Sequence, residues 1–234
     1  MLAGVNLVRV NLPSMCTRVN INPMNARNPY HHGDLRNALI TAAAELAEQG
    51  GPAAVTIRAA ARAVGVTPTA AYRHFRNHEE LLGAAKLYSL TQMGDAMRKR
   101  LAALSPAPDE EQAAIDRMEA IGRGYVDFAL SRPGLFRTAF LGADKPAVDG
   151  TGPEGPHMML VRGIDELVRL GFVAEDLRAG AEVASWSLVH GLSLLMLDGP
   201  LAQLPPQQRD EIVDQTIGLF VGSVWAVRSS RPPR

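Results

Sequence analysis

Two helices and a tight corner are written into the stretch from Thr56 to Phe75. Ile57, Ala60, Ala61 and Val64 recur at the three- and four-residue spacing of one helical face, with Thr56 placed to cap it. Gly65 stops that helix where the backbone needs positive φ, and Val66 seals the corner. Thr67-Pro68 then opens a second helix, with proline at the first position, whose N–H has no helical partner in any case. Small Ala61 lets the two helices touch. The spacing predicts a helix-turn-helix, and taken alone it also fits an ordinary helical corner.

The rest of the chain reads as helix, with no strand signal. Leu35, Ala38, Leu39, Ala42, Ala43 and Leu46 share a face between Asp34, the expected N-cap, and Gly50-Gly51-Pro52. A longer helix starts at Asn77 or His78 and runs to about Leu101. Others are expected at about 111–131, 133–141, 156–170, 175–198 and 206–228. Residues 142–156 are rich in Gly and Pro and read as a loop.

Charge and cysteine usage narrow the function. Lys plus Arg number 24 against 24 Asp plus Glu, so the whole chain is no polycationic coat. Within 24–78, however, Arg27, Arg36, Arg58, Arg62, Arg73 and Arg76 face only Asp34, Glu45 and Glu48, a net +3, and four of the six histidines lie there. That asymmetry is expected if this segment alone meets phosphate. Cys16 has no second cysteine to pair with, which favours a reducing cytoplasm. The apolar run Val183 to Leu197 is broken by Ser185, Ser187, His190 and Ser193 and is shorter than the roughly 18 residues a span requires, so it reads as a buried helix and no membrane partner is expected. The N-terminus lacks a basic region ahead of its apolar run and matches a signal peptide poorly. No Gly-x-Ser-x-Gly elbow, phosphate-binding glycine loop, dinucleotide fingerprint or zinc-ligand pair is present, and the adjacent His31 and His32 point in different directions, so no metal or other cofactor is expected.

The run TIRAAARAVGVTPTAAYRHFRNHEELL resembles the DNA-binding region of the TetR family of bacterial transcriptional regulators. YHHGDLR and WSLVHGLSLLMLDGP look like a subgroup with a Trp-x3-His-Gly element, so the resemblance covers about 25–228. Thr69, Ala71 and His78 depart from the usual glycine, large apolar residue and lysine. The resemblance implies an all-α chain with four parts: an extension at 1–23, a three-helix helix-turn-helix domain at 24–78, a helical ligand-binding and dimerisation domain at 79–228, and a frayed tail at 229–234. It implies a homodimeric regulator, a repressor, that binds an inverted-repeat operator in double-stranded DNA and is released by a small apolar or amphipathic effector. A helical adaptor without specific DNA binding and an enzyme on the same scaffold are the alternatives.

Roles follow residue by residue. Thr67, Thr69, Ala70 and Arg73, with Pro68 in the same turn, are placed to meet base edges: threonine and alanine can contact a thymine methyl, and Arg73 can pair with guanine or clamp a phosphate. Tyr72 and His74 are expected on the sugar-phosphate backbone, Phe75 in the core. Thr56 and Arg58 stand at a helix N-terminus that favours an anion, and His78 occupies the position of the family's lysine. Arg27, Tyr30, His31 and His32 resemble an arm laid along DNA. For the effector, Met93, Met97, Tyr125, Phe128, Phe140 and Trp186 are the expected cavity residues. His190, one turn after Trp186, is either a satisfied structural histidine or a ligand contact. Helices 175–198 and 206–228 should form a two-fold interface, with Ile212, Ile217, Phe220, Val221, Val224 and Trp225 available to bury.

Overall fold

Side-chain caps set where the first helices start. The computed structural model describes residues 32–140, 152 and 155–229, with side chains over 35–140, 152 and 155–223. After α1 (His32–Gly50) and a 3₁₀ turn at Pro52–Ala54, α2 (Ile57–Val64) opens where Thr56 Oγ1 accepts from the Ala59 N–H at 3.0 Å. Thr67 does the same for α3 (Pro68–Tyr72), accepting from Ala70 N–H at 3.3 Å, and Asn77 for α4 (His78–Ala102), accepting from Glu80 N–H at 2.9 Å. Asp109 caps α5 (Glu110–Ser131), and prolines at the first position open α6 (Pro133–Ala139) and α7 (Pro156–Arg169). A 3₁₀ turn at Glu175–Leu177 leads into α8 (Arg178–Leu197), and α9 is Pro206–Ser229. All regular structure among the described residues is helical. α1 begins at His32, so Asp34 lies in its first turn rather than ahead of it.

Two cores share α5. In the first, Leu39, Ala43 and Ala47 of α1 meet Ile57, Ala60, Ala71 and Phe75, and the same cluster continues along α4 through Leu81, Ala85, Met93 and Met97 to Tyr125, Phe128 and Phe136. In the second, Ile115, Met118 and Val126 pack against Ile164 and Leu167 of α7, Leu192 and Met196 of α8, and Val213, Ile217 and Val221 of α9. Alanine dominates the α1–α3 cluster, and its small side chain permits the close helix approach that a compact reader needs. Gly65 closes α2 at φ 78°, the left-handed corner expected of it.

α6 is docked on α1. A Cβ at Gly134 would intrude on the Ala47 carbonyl oxygen and the Glu48 Cα, so only glycine fits there. One residue on, the Leu135 N–H donates to Glu48 Oε2 at 3.0 Å.

Two expectations about the last helices are corrected. The apolar run on α8 is not a buried helix. Only 22% of its apolar window is buried, and Val183, Trp186, Leu194 and Leu195 are exposed. This helix is long and apolar enough to cross a membrane by length and composition. Its inward face carries Leu192 and Met196 together with Ser185 and Ser193, whose hydroxyls donate back to the Ala181 and Val189 carbonyls, so half of the buried positions are small polar residues while several large apolar ones are left outside. On α9, Ile217 and Val221 face this chain's own core and are not free for a partner, while Leu219 is 76% exposed. The α9 sequence is apolar on several sides, which is why its spacing does not reveal the buried face. The side chains of Val224 and Trp225 lie outside the described residues.

Candidate nucleic-acid interface and aromatic cluster

α3 turns Ala71 inward, fully buried, and the chain then seats Phe75 beside it in the core. The opposite side, where Thr69, Tyr72 and Arg73 stand three and four residues apart, is exposed, as are Thr67 and Pro68. Ala70 and His74 are half-buried. The sequence expectation of an inward Phe75 and an outward Tyr72 therefore matches their burial, at 1% and 46% exposure. Both capping threonines use an oxygen lone pair on the backbone and keep the O–H free to donate outward. Thr56 and Arg58 lie exposed in the first turn of α2, and His78 is exposed at the first position of α4.

The cations here differ from those elsewhere. Among the described residues, Arg58, Arg62, Arg73 and Arg76 pair with no carboxylate, and Arg36 lies 5.1 Å from the Phe75 ring centroid. In the C-terminal half, Arg100 pairs with Asp127, Arg117 with Glu166, Arg137 with Asp198 and Arg178 with Asp165, and Arg123 joins α5 to α9 through Asp210 and Asp214. The arm residues Arg27, Tyr30 and His31 lie outside the described residues, as does the His32 side chain.

Four of the seven expected effector residues converge on one cluster. Tyr125, Phe140, Trp186 and His190 form a connected set of ring contacts, with Phe140 to His190 at 4.8 Å and Trp186 to His190 at 6.5 Å between centroids. Phe136, absent from the expected set, joins them at 5.2 Å from Phe140 and 5.4 Å from His190. The Phe136–Phe140 spacing of one helical turn is the signal that could have found it. Met93, Met97 and Phe128 belong to the surrounding core without a ring contact to the set. Tyr125 Oη lies 2.8 Å from His190 Nδ1. Burial pushes the Tyr125 pKa up and the His190 pKa down, so the phenol keeps its proton and the imidazole is held neutral. No group of three His, Cys, Asp or Glu residues able to hold a metal occurs among the described residues.

An all-helical chain whose N-terminal helices present a capped corner, a short exposed helix and arginines that pair with no carboxylate among the described residues belongs to the class of helix-turn-helix DNA-binding regulators. Residues 39–85 match the bacterial regulatory proteins of the tetR family, residues 118–220 match the tetracyclin repressor-like C-terminal domain, and the chain belongs to the TetR family of transcriptional regulators. Such proteins are regulators and not enzymes. An uncharacterized HTH-type transcriptional regulator, YobS of Bacillus subtilis, is 24% identical over 164 residues, 70% of this chain and 80% of that protein. Among solved structures, a Rhodococcus protein of unknown function superposes with a TM-score of 0.67 at 23% identity, covering 86% of this chain and 99% of the other. A single-residue variant of TetR from Acinetobacter baumannii, in complex with minocycline, superposes with a TM-score of 0.57 at 19% identity, covering 83% and 98%.

Proposed function

We propose that the chain is a homodimeric repressor that binds an inverted-repeat operator through α2 and α3 and is released by a small apolar or amphipathic effector. The contrast among the arginines carries the reading. Among the described residues, Arg58, Arg62, Arg73 and Arg76 of the reader are exposed and pair with no carboxylate through their guanidinium groups, ready to displace counterions from phosphates, whereas Arg100, Arg117, Arg123, Arg137 and Arg178 of the other half are committed to ion pairs between elements. Arg73 and Thr69, with Thr67, Pro68 and Ala70, meet base edges; Tyr72, His74, Thr56, Arg58 and His78 hold the backbone. The division into a reader at 24–78 and a sensor at 79–228 follows from these roles.

A five-residue α3 spans too few bases for a unique address, so two copies related by a dyad are needed. The exposed Val183, Leu194 and Leu195 of α8 and Leu219 of α9 supply the apolar surface for that partner copy. The effector site is the aromatic cluster around Tyr125 and His190, where four rings and a neutral imidazole meet between helices. α6 links the two functions: Phe136 and Phe140 sit in the cluster, while Gly134 and Leu135 are docked on α1. The test is selection of binding sites from random duplex DNA. Recovery of an inverted repeat with half-sites about one turn apart is expected. Recovery of a single asymmetric half-site bound by a monomer overturns the reading.

A further inference from the structure

A cleft of about 320 Å³ opens between the C-terminal end of α4, the middle of α5 and α9. It shares no lining residue with the aromatic cluster. Leu104, Ala120 and Ile217 give it apolar walls, and its charged groups are satisfied very unequally. Arg123 is held by Asp127, Asp210 and Asp214, Arg100 by Asp127, and Asp116 accepts from the Gln112 amide. Glu119 has no hydrogen bond or ion pair among the described residues. Its Oε1 lies 3.9 Å from where a Cβ of Gly218 would stand, so α9 puts no side chain over it at that point. The Glu119 carboxyl is held above the usual range, first by burial and then by the negative charges of Asp116 and Asp214.

The Glu119 carboxylate opens into this cleft without a protein donor, so it is free to accept N–H groups from a positively charged ligand, and both arginines are already committed. A divalent metal would need several converging ligands, and the described residues offer no group of three. We propose that this cleft binds an organic ammonium ion with a short apolar tail, the ammonium donating to Glu119 and the tail lying on Leu104, Ala120 and Ile217. The site is independent of the effector reading above.

The probe is n-hexylammonium chloride, titrated calorimetrically into the full chain, with 1-hexanol and matched sodium chloride as controls. Saturable binding, one per chain, is expected for the amine, with hexanol at least about ten-fold weaker because it brings no charge. Glu119→Gln keeps the shape, removes a carboxylate repelled by two neighbours, and should melt no lower than the parent while weakening the amine about ten-fold or more. Leu104→Asn should weaken hexylammonium and leave methylammonium unchanged. Failure of the amine to saturate, equal binding by hexanol, or a folded Glu119→Gln chain that binds the amine as before each overturns the proposal. None of these outcomes bears on operator selection.

Discussion

The Tyr125 hydroxyl and His190 Nδ1 lie 2.8 Å apart across 65 residues of sequence, and this hydrogen bond ties α5 to α8 in the middle of the ring cluster. Because burial raises the Tyr125 pKa, the phenol donates; because burial lowers that of His190, Nδ1 accepts. Well above pH 6.5, the ordinary pKa of the unfolded imidazole, the histidine is neutral folded and unfolded. Below it the unfolded chain takes up a proton that the folded site resists, so stability falls as pH drops from 6.5 toward the lowered folded pKa. Thermal unfolding over a pH series should show this loss, and His190→Gln should flatten part of it. Tyr125→Phe should cost about 1 kcal/mol at neutral pH. An unaltered pH profile in His190→Gln would mean the imidazole is not held neutral.

Phosphate and base contacts predict different mutant signatures. Tyr72→Phe and His74→Ala should weaken all duplexes alike, whereas Thr69→Ala and Arg73→Ala should change which base is preferred. Arg58→Ala should lower the slope of log affinity against log salt by about 0.9 for each phosphate that it no longer neutralises. Competition binding at several salt concentrations separates the two classes. A change of base preference with intact affinity in Tyr72→Phe would reverse the assignment.

Docking of α6 on α1 leaves no room at Gly134, so Gly134→Ala should destabilise by about 1–3 kcal/mol through overpacking against backbone that cannot move aside. Glu48→Ala should leave the fold intact and speed hydrogen exchange at the Leu135 amide, which loses its acceptor. Unchanged exchange there would show that the Glu48 carboxylate does not hold the start of α6.

Leu219, largely exposed on α9, is the place to break the proposed dimer. Leu219→Asp should give a folded monomer by light scattering, with unchanged circular dichroism and at least about ten-fold weaker operator binding. A stable dimer of that variant would move the interface away from this part of α9.

The helices were legible because their starts are local chemistry: Thr56, Thr67, Asn77 and Asp109 each cap with their own side chain, and proline opens α6, α7 and α9. Phe75 goes inward with Ala71, four residues before it, while Tyr72, the next residue round the helix from Ala71, is turned outward. What the sequence did not disclose depends on partners far along the chain. Glu48 and Leu135 are 87 residues apart, and nothing near either predicts their hydrogen bond. The inward face of α8 was hidden because Ser185 and Ser193 bury there beside Leu192 and Met196, their hydroxyls satisfied within the helix, while Leu194 and Leu195 stay out. The Glu119 cleft was equally invisible, since its walls come from three helices.

α4 runs unbroken for 25 residues, from the reader at His78 to the mouth of the cleft near Arg100. At 1.5 Å per residue it is a rod of about 37 Å, so a tilt of about 5° about its midpoint displaces either tip by about 1.6 Å. Stiffness thus carries a movement across the molecule undiminished. A shift at one end reappears at the other at a size comparable with hydrogen-bond tolerance, and in a two-fold assembly the two rods would change the spacing of the recognition helices by the sum of both.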